Sequence, residues 1–437
     1  MENKTFLALS FIASLAFSHV AYADSMFSDE VTQRVNKDMQ KRLGCYSFKQ
    51  CKALAEDGSV RHQSFMSEVY LMGEAYGIKS DEGMSRKKVF FWMKVAAENG
   101  ALSEQSSLAR AYLYGSYENE VDLEKATYWA NKVIAAESKS GYFVLGEVAK
   151  LEKRYKDAMK NYRLADGATE AEYQIAELYF HGHGVERDIE KAKGHYKNAN
   201  RLGDSEASYK LGIIARYHDK DDKKALYYFE SATHRGRIAL GIGEYHPQSK
   251  EQIALMRLDK LKPGDNYEYV AELFLSGARN KLPVSTRIYG QLLWGGKGVD
   301  KNQEMAVKFF NVAASMKDGR AAYLLSDAYR NGLVVEKDEK KANEFLRYAA
   351  SLKDIASVSL LGRYYLAGQG GFEQNYDKAF EALMYAGHKG DAEALYALGF
   401  IYEYGAGRDI DKASAKKYYN YAAQRGDQRA KAKLEKM

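Results

Sequence analysis

The chain has 437 residues, 46% of them apolar and 28% charged, with 65 basic against 59 acidic residues and a net charge of +6. That composition is ordinary for a folded protein. The charges are interleaved, as in the stretch 190–201, so there is no basic block of the kind that holds nucleic acid. The unusual counts are 35 tyrosines, 36 glycines and 3 prolines: so few prolines permit many unbroken helices, and the glycines must then sit mostly at helix ends and turns.

Residues 1–23 read as a cleavable export signal. Lys4 and the amino terminus give a weakly positive start, 6–18 is an apolar run too short to span a bilayer comfortably, and Ala21-Tyr22-Ala23 supplies the small residues a signal peptidase reads. Cleavage is expected before Asp24. No cysteine follows closely, so a lipid anchor is not expected. No later segment approaches about 18 apolar residues, so no direct membrane span is expected either. A periplasmic location, or secretion, is the expectation.

Residues 24–60 are expected to form capping helices. They carry both cysteines, Cys45 and Cys51. An oxidising compartment favours a disulfide. Six residues along one straight helix rise about 9 Å, and a bridge needs Cα atoms within about 7 Å. The pair therefore needs a helix end or turn between its members. Two free buried thiols are the alternative.

From residue 61 the chain repeats itself. Segments 171–203, 285–319 and 392–426 each show an amphipathic stretch, a glycine loop, a second amphipathic stretch and a closing glycine. The second stretches share an alanine, a large residue four later and a small one three beyond. The triads are Ala158/Tyr162/Ala165, Ala192/Tyr196/Ala199, Ala225/Phe229/Ala232, Ala306/Phe310/Ala313, Ala342/Leu346/Ala349, Ala379/Leu383/Ala386 and Ala415/Tyr419/Ala422. Val89/Met93/Ala96 and Ala126/Ala130/Val133 are looser copies. Such spacings place all three side chains on one helix face, and the alanines let a neighbouring helix come close. First stretches carry a matching mark, Leu361-Gly362 with Tyr365 and Leu398-Gly399 with Tyr402. Glycine inside a helix costs about 1 kcal/mol relative to alanine, so its recurrence predicts close backbone contact with a partner helix. The anchor alanines recur at about 32–37 residues, the period of two-helix repeats.

The regular alternation covers 61–236 and 285–426. Between them, 237–284 reads as a degenerate helical hairpin region, and 427–437 as a C-terminal cap. The motif Leu-Gly-x-x-Tyr-x-x-Gly-x-Gly-Val, followed by Lys-Ala-x-x-x-Tyr-x-x-Ala-Ala and Gly, resembles the Sel1-like repeat, a relative of the tetratricopeptide repeat. The resemblance covers most of 60–426. It implies an all-α fold, a right-handed α-solenoid of antiparallel helix pairs. It also implies a protein-binding role in envelope assembly, exopolysaccharide export, motility or host contact. Size and leader are similar to those of an exopolysaccharide-export scaffold of that family, without its lipidation cysteine. Cysteine-rich exported members associated with β-lactam hydrolysis carry a cysteine pair in each repeat. Here both cysteines precede the first clear repeat, which argues against an enzyme.

The stretch 180–188, Phe-His-Gly-His-Gly-Val-Glu-Arg-Asp, looks at first like a metal or phosphate site. Its copies argue otherwise. His183 aligns with Lys297, Leu333, Gln369 and Ala406, and His181 with Gly295, Asn331, Ala367 and Tyr404, whereas glycines recur beside them. The pairs Gly182/Gly184, Gly296/Gly298 and Gly405/Gly407 are expected to serve the backbone, with φ > 0 or with no room for a side chain. The remaining histidines show no zinc spacing, and no nucleophile or nucleotide motif is present. No catalytic residue, cofactor, metal or small-molecule substrate is expected. The expected partners are envelope proteins. Tyr179, Tyr196, Tyr329, Tyr365, Tyr402 and Tyr419 are expected to serve repeat packing. Tyr114, Tyr117, Tyr227, Tyr364, Tyr404 and Tyr418, off the pattern, are the candidates for a binding face, since tyrosine carries interface energy disproportionately.

Overall fold

The computed structural model describes residues 40, 43–45, 48–72, 85–117, 119–165, 167–240 and 246–437. The expected leader at 1–23 and most of the expected cap at 24–47 lie outside them. The described residues form helices and their connections, with no strand among them. The chain divides into two compact units, Met1–Tyr245 and His246–Met437.

In the first unit α1 (Phe48–Glu56) precedes five helix hairpins. These are α2 (Val60–Met72) with α3 (Arg86–Glu98), α4 (Leu102–Tyr114) with α5 (Leu123–Ala135), α6 (Ser140–Leu151) with α7 (Tyr155–Leu164), α8 (Thr169–His181) with α9 (Ile189–Arg201), and α10 (Ser205–Tyr217) with α11 (Asp222–Leu240). The second unit holds α12 (Pro247–Leu258) with α13 (Glu268–Arg279), α14 (Pro283–Gly295) with α15 (Gln303–Ser315), and α16 (Gly319–Asn331) with α17 (Glu339–Ser351). It continues with α18 (Ile355–Ala367) and α19 (Tyr376–His388), then α20 (Ala392–Tyr404) and α21 (Lys412–Gln424), and ends on α22 (Gln428–Leu434). In most hairpins each helix packs most extensively on its partner and then on the next hairpin along the chain, whereas α13 is shared about equally between α12 and α14. This is an all-α stack of helix pairs within each unit.

The triads are the core. Ala192, Tyr196 and Ala199 are fully buried, as are Ala342, Leu346 and Ala349, and Ala415, Tyr419 and Ala422. In the triad of α15, Ala306 and Ala313 are fully buried and Phe310 nearly so. Removing a side chain of this size from water contributes roughly 1.5–3 kcal/mol at each repeat. The glycines inside first helices have a different role from the one expected. What stands over the mid-helix glycines is the ring or branched end of the triad's central residue, whereas at Gly141, near the start of α6, it is a neighbouring backbone: a Cβ there would lie 2.4 Å from the Ala130 carbonyl oxygen of α5. A Cβ placed on Gly399 would lie 2.6 Å from the Tyr419 ring, one on Gly290 2.8 Å from Phe310, and one on Gly362 2.9 Å from Leu383. Gly146 and Gly212 stand in the same relation to Tyr162 and Phe229, at 2.4 and 2.5 Å. The missing methyl is the space into which the partner helix's large residue is set.

Residues 247–279 form a hairpin whose second helix, α13, buries Ala271 and Phe274. Here the four-and-three spacing is held by Val270, Phe274 and Gly277, with valine and glycine where other triads have alanine, and the connection carries Pro263-Gly264 in place of the paired glycines. The regular pattern is lost for those two local reasons while the hairpin remains. Near the start, Cys45 lies in the coil ahead of α1 and Cys51 inside it, and a disulfide joins them across a Cα separation of 5.3 Å. Both are fully buried. His62 in α2 ties this end down, its Nε2 3.1 Å from the Leu43 carbonyl and its Nδ1 2.7 Å from the Ser59 hydroxyl.

Candidate protein-interaction surface

The loop at 180–188 is built by its glycines. Gly182 ends α8 at φ +72, and its amide donates to the Leu178 carbonyl. Gly184, at φ +70, lies flat on the first residue of α7 in the preceding hairpin: a Cβ there would be 2.6 Å from the Tyr155 Cβ and 2.9 Å from its carbonyl carbon. Gly298 stands likewise on Tyr267 at the start of α13, and Gly407 on Tyr376 at the start of α19, at 2.4 and 2.3 Å. Gly296 and Gly405 close α14 and α20 at φ +64 and +69. One glycine therefore turns the chain and the other docks it on the neighbouring hairpin.

The far side of the loop is pinned by a cap the sequence reading passed over. The Asp188 amide donates to the Tyr179 carbonyl at 3.0 Å, and its side chain accepts from the Lys191 amide at 2.9 Å. The Lys191 ammonium then pairs with Asp188 at 3.2 Å and sits 5.5 Å over the Tyr179 ring. The same set recurs as Asp122, Lys125 and Tyr112, as Asp338, Lys341 and Tyr329, and as Asn375, Lys378 and Tyr365. Hydrogen bonds from the Lys191 amide first, and then from its ammonium, hold the Asp188 carboxyl below the usual carboxylate range. These positions hold the hairpin together. His181 and His183 are exposed, but they are not without contacts: His183 stacks on Tyr155 at 4.6 Å and on His181 at 5.5 Å. No group of three or more histidine, cysteine, aspartate or glutamate side chains is arranged to hold a metal ion among the described residues.

The first helices of each unit present a second regularity, in which a cation lies over a ring of an adjacent hairpin, ahead of it or behind. In the first unit the Arg110 guanidinium lies 4.9 Å over the Phe143 ring and pairs with Glu170 at 3.2 Å. Lys210 lies 5.8 Å over Phe180 and pairs with Glu177 at 2.9 Å, and Glu177 also accepts from the hydroxyl of buried Tyr196. In the second unit Arg330 lies 5.0 Å over Tyr364, Arg429 4.4 Å over Tyr396, and Lys433 5.0 Å over Tyr404. Arg429 also pairs with Glu393 at 2.8 Å, and Lys433 with Glu403 at 2.9 Å. Tyr419 donates to Glu403 at 2.6 Å. Burial pulls the Glu177 carboxyl upward, but hydrogen bonds from Tyr196 and Lys210 outweigh it and hold the group below the usual glutamate range. Glu403 is held low in the same way by Tyr419 and Lys433.

The tyrosines divide by depth, not by pattern alone. Of those on the pattern, Tyr196 and Tyr419 are fully buried, whereas Tyr179, Tyr329, Tyr365 and Tyr402 are half-buried at the loop ends of their helices. Of those off it, Tyr114, Tyr227 and Tyr404 are 52, 65 and 54% exposed. Tyr117, Tyr364 and Tyr418 are partly covered. Tyr364 lies beneath Arg330, and Tyr418 stacks on Tyr402 at 5.6 Å with its hydroxyl 3.3 Å from the Met384 Sδ. Exposed rings the sequence reading did not single out include Phe91, Tyr128, Phe400 and Tyr421. Their signal was their place on the outward face of each triad helix or on the last turn of a first helix. Arginines and half-exposed aromatic rings on the first helices of each unit are the side chains that carry binding energy in protein interfaces.

Comparison with known proteins agrees with this architecture. The Sel1 repeat matches residues 105–136, 169–204, 205–236, 284–318, 319–354, 356–381 and 392–427, together more than half of the chain. The hairpins α6/α7 and α12/α13 lie in the unmatched stretches. Among curated proteins, the chitin synthase regulator SKT5 of Saccharomyces cerevisiae is 24% identical over 300 residues, 66% of this chain and 37% of that protein. The ERAD-associated E3 ubiquitin-protein ligase component HRD3B of Arabidopsis thaliana is 40% identical over 65 residues, 15% of this chain and 11% of that protein. The chain thus spans well under half the length of either. Among solved structures, c5321, a protective antigen of uropathogenic Escherichia coli with an SLR fold, superposes with a TM-score of 0.62 at 22% identity, covering 88% of this chain and 81% of that one. A Sel1 repeat protein from Oxalobacter formigenes gives 0.50 at 23% identity, over 56% and 96%. Sel1 repeat proteins serve as scaffolds for protein–protein interaction. On the seven matched repeats, the chain belongs to the Sel1 repeat family.

Proposed function

We propose that this protein is an exported scaffold of the bacterial cell envelope, which holds protein partners of an envelope complex together during its assembly or operation. Export of an exopolysaccharide is one process such a complex could serve. The observation that carries the scaffold reading is the first-helix row, where arginines and lysines lie over the rings of the neighbouring hairpin and Tyr114 and Tyr404 stand open to solvent. The apolar run at 6–18 and Ala21-Tyr22-Ala23 support export to the periplasm. Fractionation of the source cells, followed by cross-linking of the native envelope, tests the reading. Recovery of the mature chain in the periplasm, with specific envelope proteins attached, is the expected result. Recovery only in the cytoplasm would sink the export reading.

The same leader serves a second reading, a secreted factor that contacts a host; accumulation in the culture medium instead of the periplasm would favour it. An enzyme of the β-lactamase or cell-wall-modifying kind is the third class. Turnover by the purified mature chain, abolished by single substitutions, would replace the scaffold reading.

A further inference from the structure

The outer side of the last full hairpin differs from its predecessors. Between α19 and α21 runs a groove of about 460 Å³, floored by Leu395 and Leu398 of α20 and flanked by Met384, Tyr418 and Tyr421. Gly387 stands at its base. That position follows the last residue of the triad, where Ala314, Ala350 and Ala423 stand in other hairpins. A Cβ on Gly387 would lie 3.1 Å from Leu395 and 3.2 Å from Leu398. Both leucines are packed into the space of the missing methyl and are buried beneath the groove, whose partly exposed apolar lining is Met384, Tyr418 and Tyr421.

The corresponding groove two hairpins earlier is crossed by a tyrosine. Tyr348 of α17 reaches back to α15 and donates to the Ala314 carbonyl at 3.2 Å. In the groove between α17 and α19, Lys353 stands 5.2 Å over the Tyr385 ring. Tyr421 is the counterpart of Tyr348 in α21, but it does not cross. It packs edge-on against Tyr418 at 6.4 Å, is 40% exposed, and its hydroxyl meets no acceptor among the described residues.

Every ionisable group of basic or acidic type that lines the groove is basic: His388, Lys417 and Arg425. All three are exposed, and none is paired with a carboxylate among the described residues. Some cations elsewhere in the chain have both a ring and an acidic neighbour, as Arg429 has Glu393 and Lys433 has Glu403. The three at this groove have no acidic neighbour. A partly exposed methionine, two tyrosines and a rim of unpaired positive charge describe the complement of one kind of ligand.

From this geometry we infer that the groove between α19 and α21 docks an acidic segment of a partner protein, in which one large apolar side chain packs on Met384, Tyr418 and Tyr421 while flanking carboxylates meet Lys417, Arg425 and His388. The inference deepens the scaffold reading and rests on it, by naming a docking site and the chemistry of what it takes.

The test uses the full mature chain and a fluorescent twelve-residue peptide of glutamates around a single central phenylalanine. Saturable binding is expected. Replacing the phenylalanine by alanine, or the glutamates by lysines, is expected to weaken it roughly tenfold or more, as is the exposed double change Lys417→Glu with Arg425→Glu. Circular dichroism of each variant establishes that it has folded. No saturable binding, or binding that Lys417→Glu with Arg425→Glu leaves unchanged, overturns the inference. So does charge-dependent attachment to vesicles of anionic phospholipid with none to the peptide.

A photo-crosslinking residue placed at Tyr421 or at Tyr404 in the native cell separates the two readings. A partner captured from Tyr404 but never from Tyr421 leaves the scaffold standing and removes the groove. Capture from neither position removes both.

Discussion

Gly399 and Tyr419 occupy one another's space: a methyl on the glycine would fall 2.6 Å from the tyrosine ring, which is itself fully buried between two alanines. The relation recurs between Gly290 and Phe310, and between Gly362 and Leu383. Its consequence is a size rule for the hairpin. Gly399→Ala is expected to destabilise the chain by about 1–3 kcal/mol, the usual range for an overpacked core, although alanine is the better helix former by about 1 kcal/mol. Tyr419→Leu in the same chain should recover part of that loss, because it shortens the side chain that the new methyl meets. Urea unfolding of the single and double variants measures both. A Gly399→Ala chain as stable as the parent would refute the size rule.

The loop glycines give a second test, in which the chain supplies its own control. Val334 occupies, in the loop after α16, the position that Gly184, Gly298 and Gly407 hold in theirs, and it has φ +66. A branched side chain in the left-handed region costs roughly 1–2 kcal/mol, and glycine gives back up to about 1 in chain entropy. Val334→Gly is therefore expected to stabilise by about 1 kcal/mol or less. Gly184→Val is expected to cost more than the backbone strain alone, because its Cβ would also strike Tyr155. Opposite signs in thermal melts would confirm the assignment, and a loss in both would refute it.

Much of this was readable from residues alone, and the parts that were not have specific causes. The triads were legible because a four-and-three spacing puts Ala192, Tyr196 and Ala199 on one face whatever surrounds them. The glycine's contact was not, because sequence cannot say whether a backbone or the Tyr419 ring stands above Gly399. The caps were available and passed over. Asp or Asn stands four residues before every anchor alanine except Ala158, as in Asp188 and Ala192, Asp338 and Ala342, and Asn375 and Ala379. The cations laid across neighbouring hairpins, Arg110 on Phe143 or Arg429 on Tyr396, could not be foreseen. They depend on the register between helices some thirty residues apart, which no local pattern encodes.

The loop histidines yield a narrower expectation than free variation. His183 stacks on Tyr155 and on His181 although it is exposed. Exposed stacking of this kind contributes up to about 1 kcal/mol. Changing both His181 and His183 to glutamine is expected to cost no more than that, and the melting temperature is expected to be the same with zinc or with a chelator. A zinc-dependent melt lost in the double variant would make the loop a metal site after all.

Acid should loosen the two units through the carboxylates that tie tyrosine and lysine together. Glu177 and Glu403 have folded-state values below their unfolded ones, since hydrogen bonds from Tyr196 and Lys210, and from Tyr419 and Lys433, outweigh the upward pull of burial. A carboxyl held low contributes stability that is complete above its unfolded value and is lost as the pH falls through its folded one. The caps Asp122, Asp188 and Asp411, also held low, act with the same sign. Asp204 acts against them, because burial raises it. The balance favours loss on acidification, so the melting temperature is expected to be level near neutrality and to fall below about pH 4, the unfolded glutamate range. Glu177→Gln with Glu403→Gln should start lower at neutral pH and decline less steeply. An acid limb as steep as the parent's in that double variant would mean that these two clusters are not where the chain senses acid.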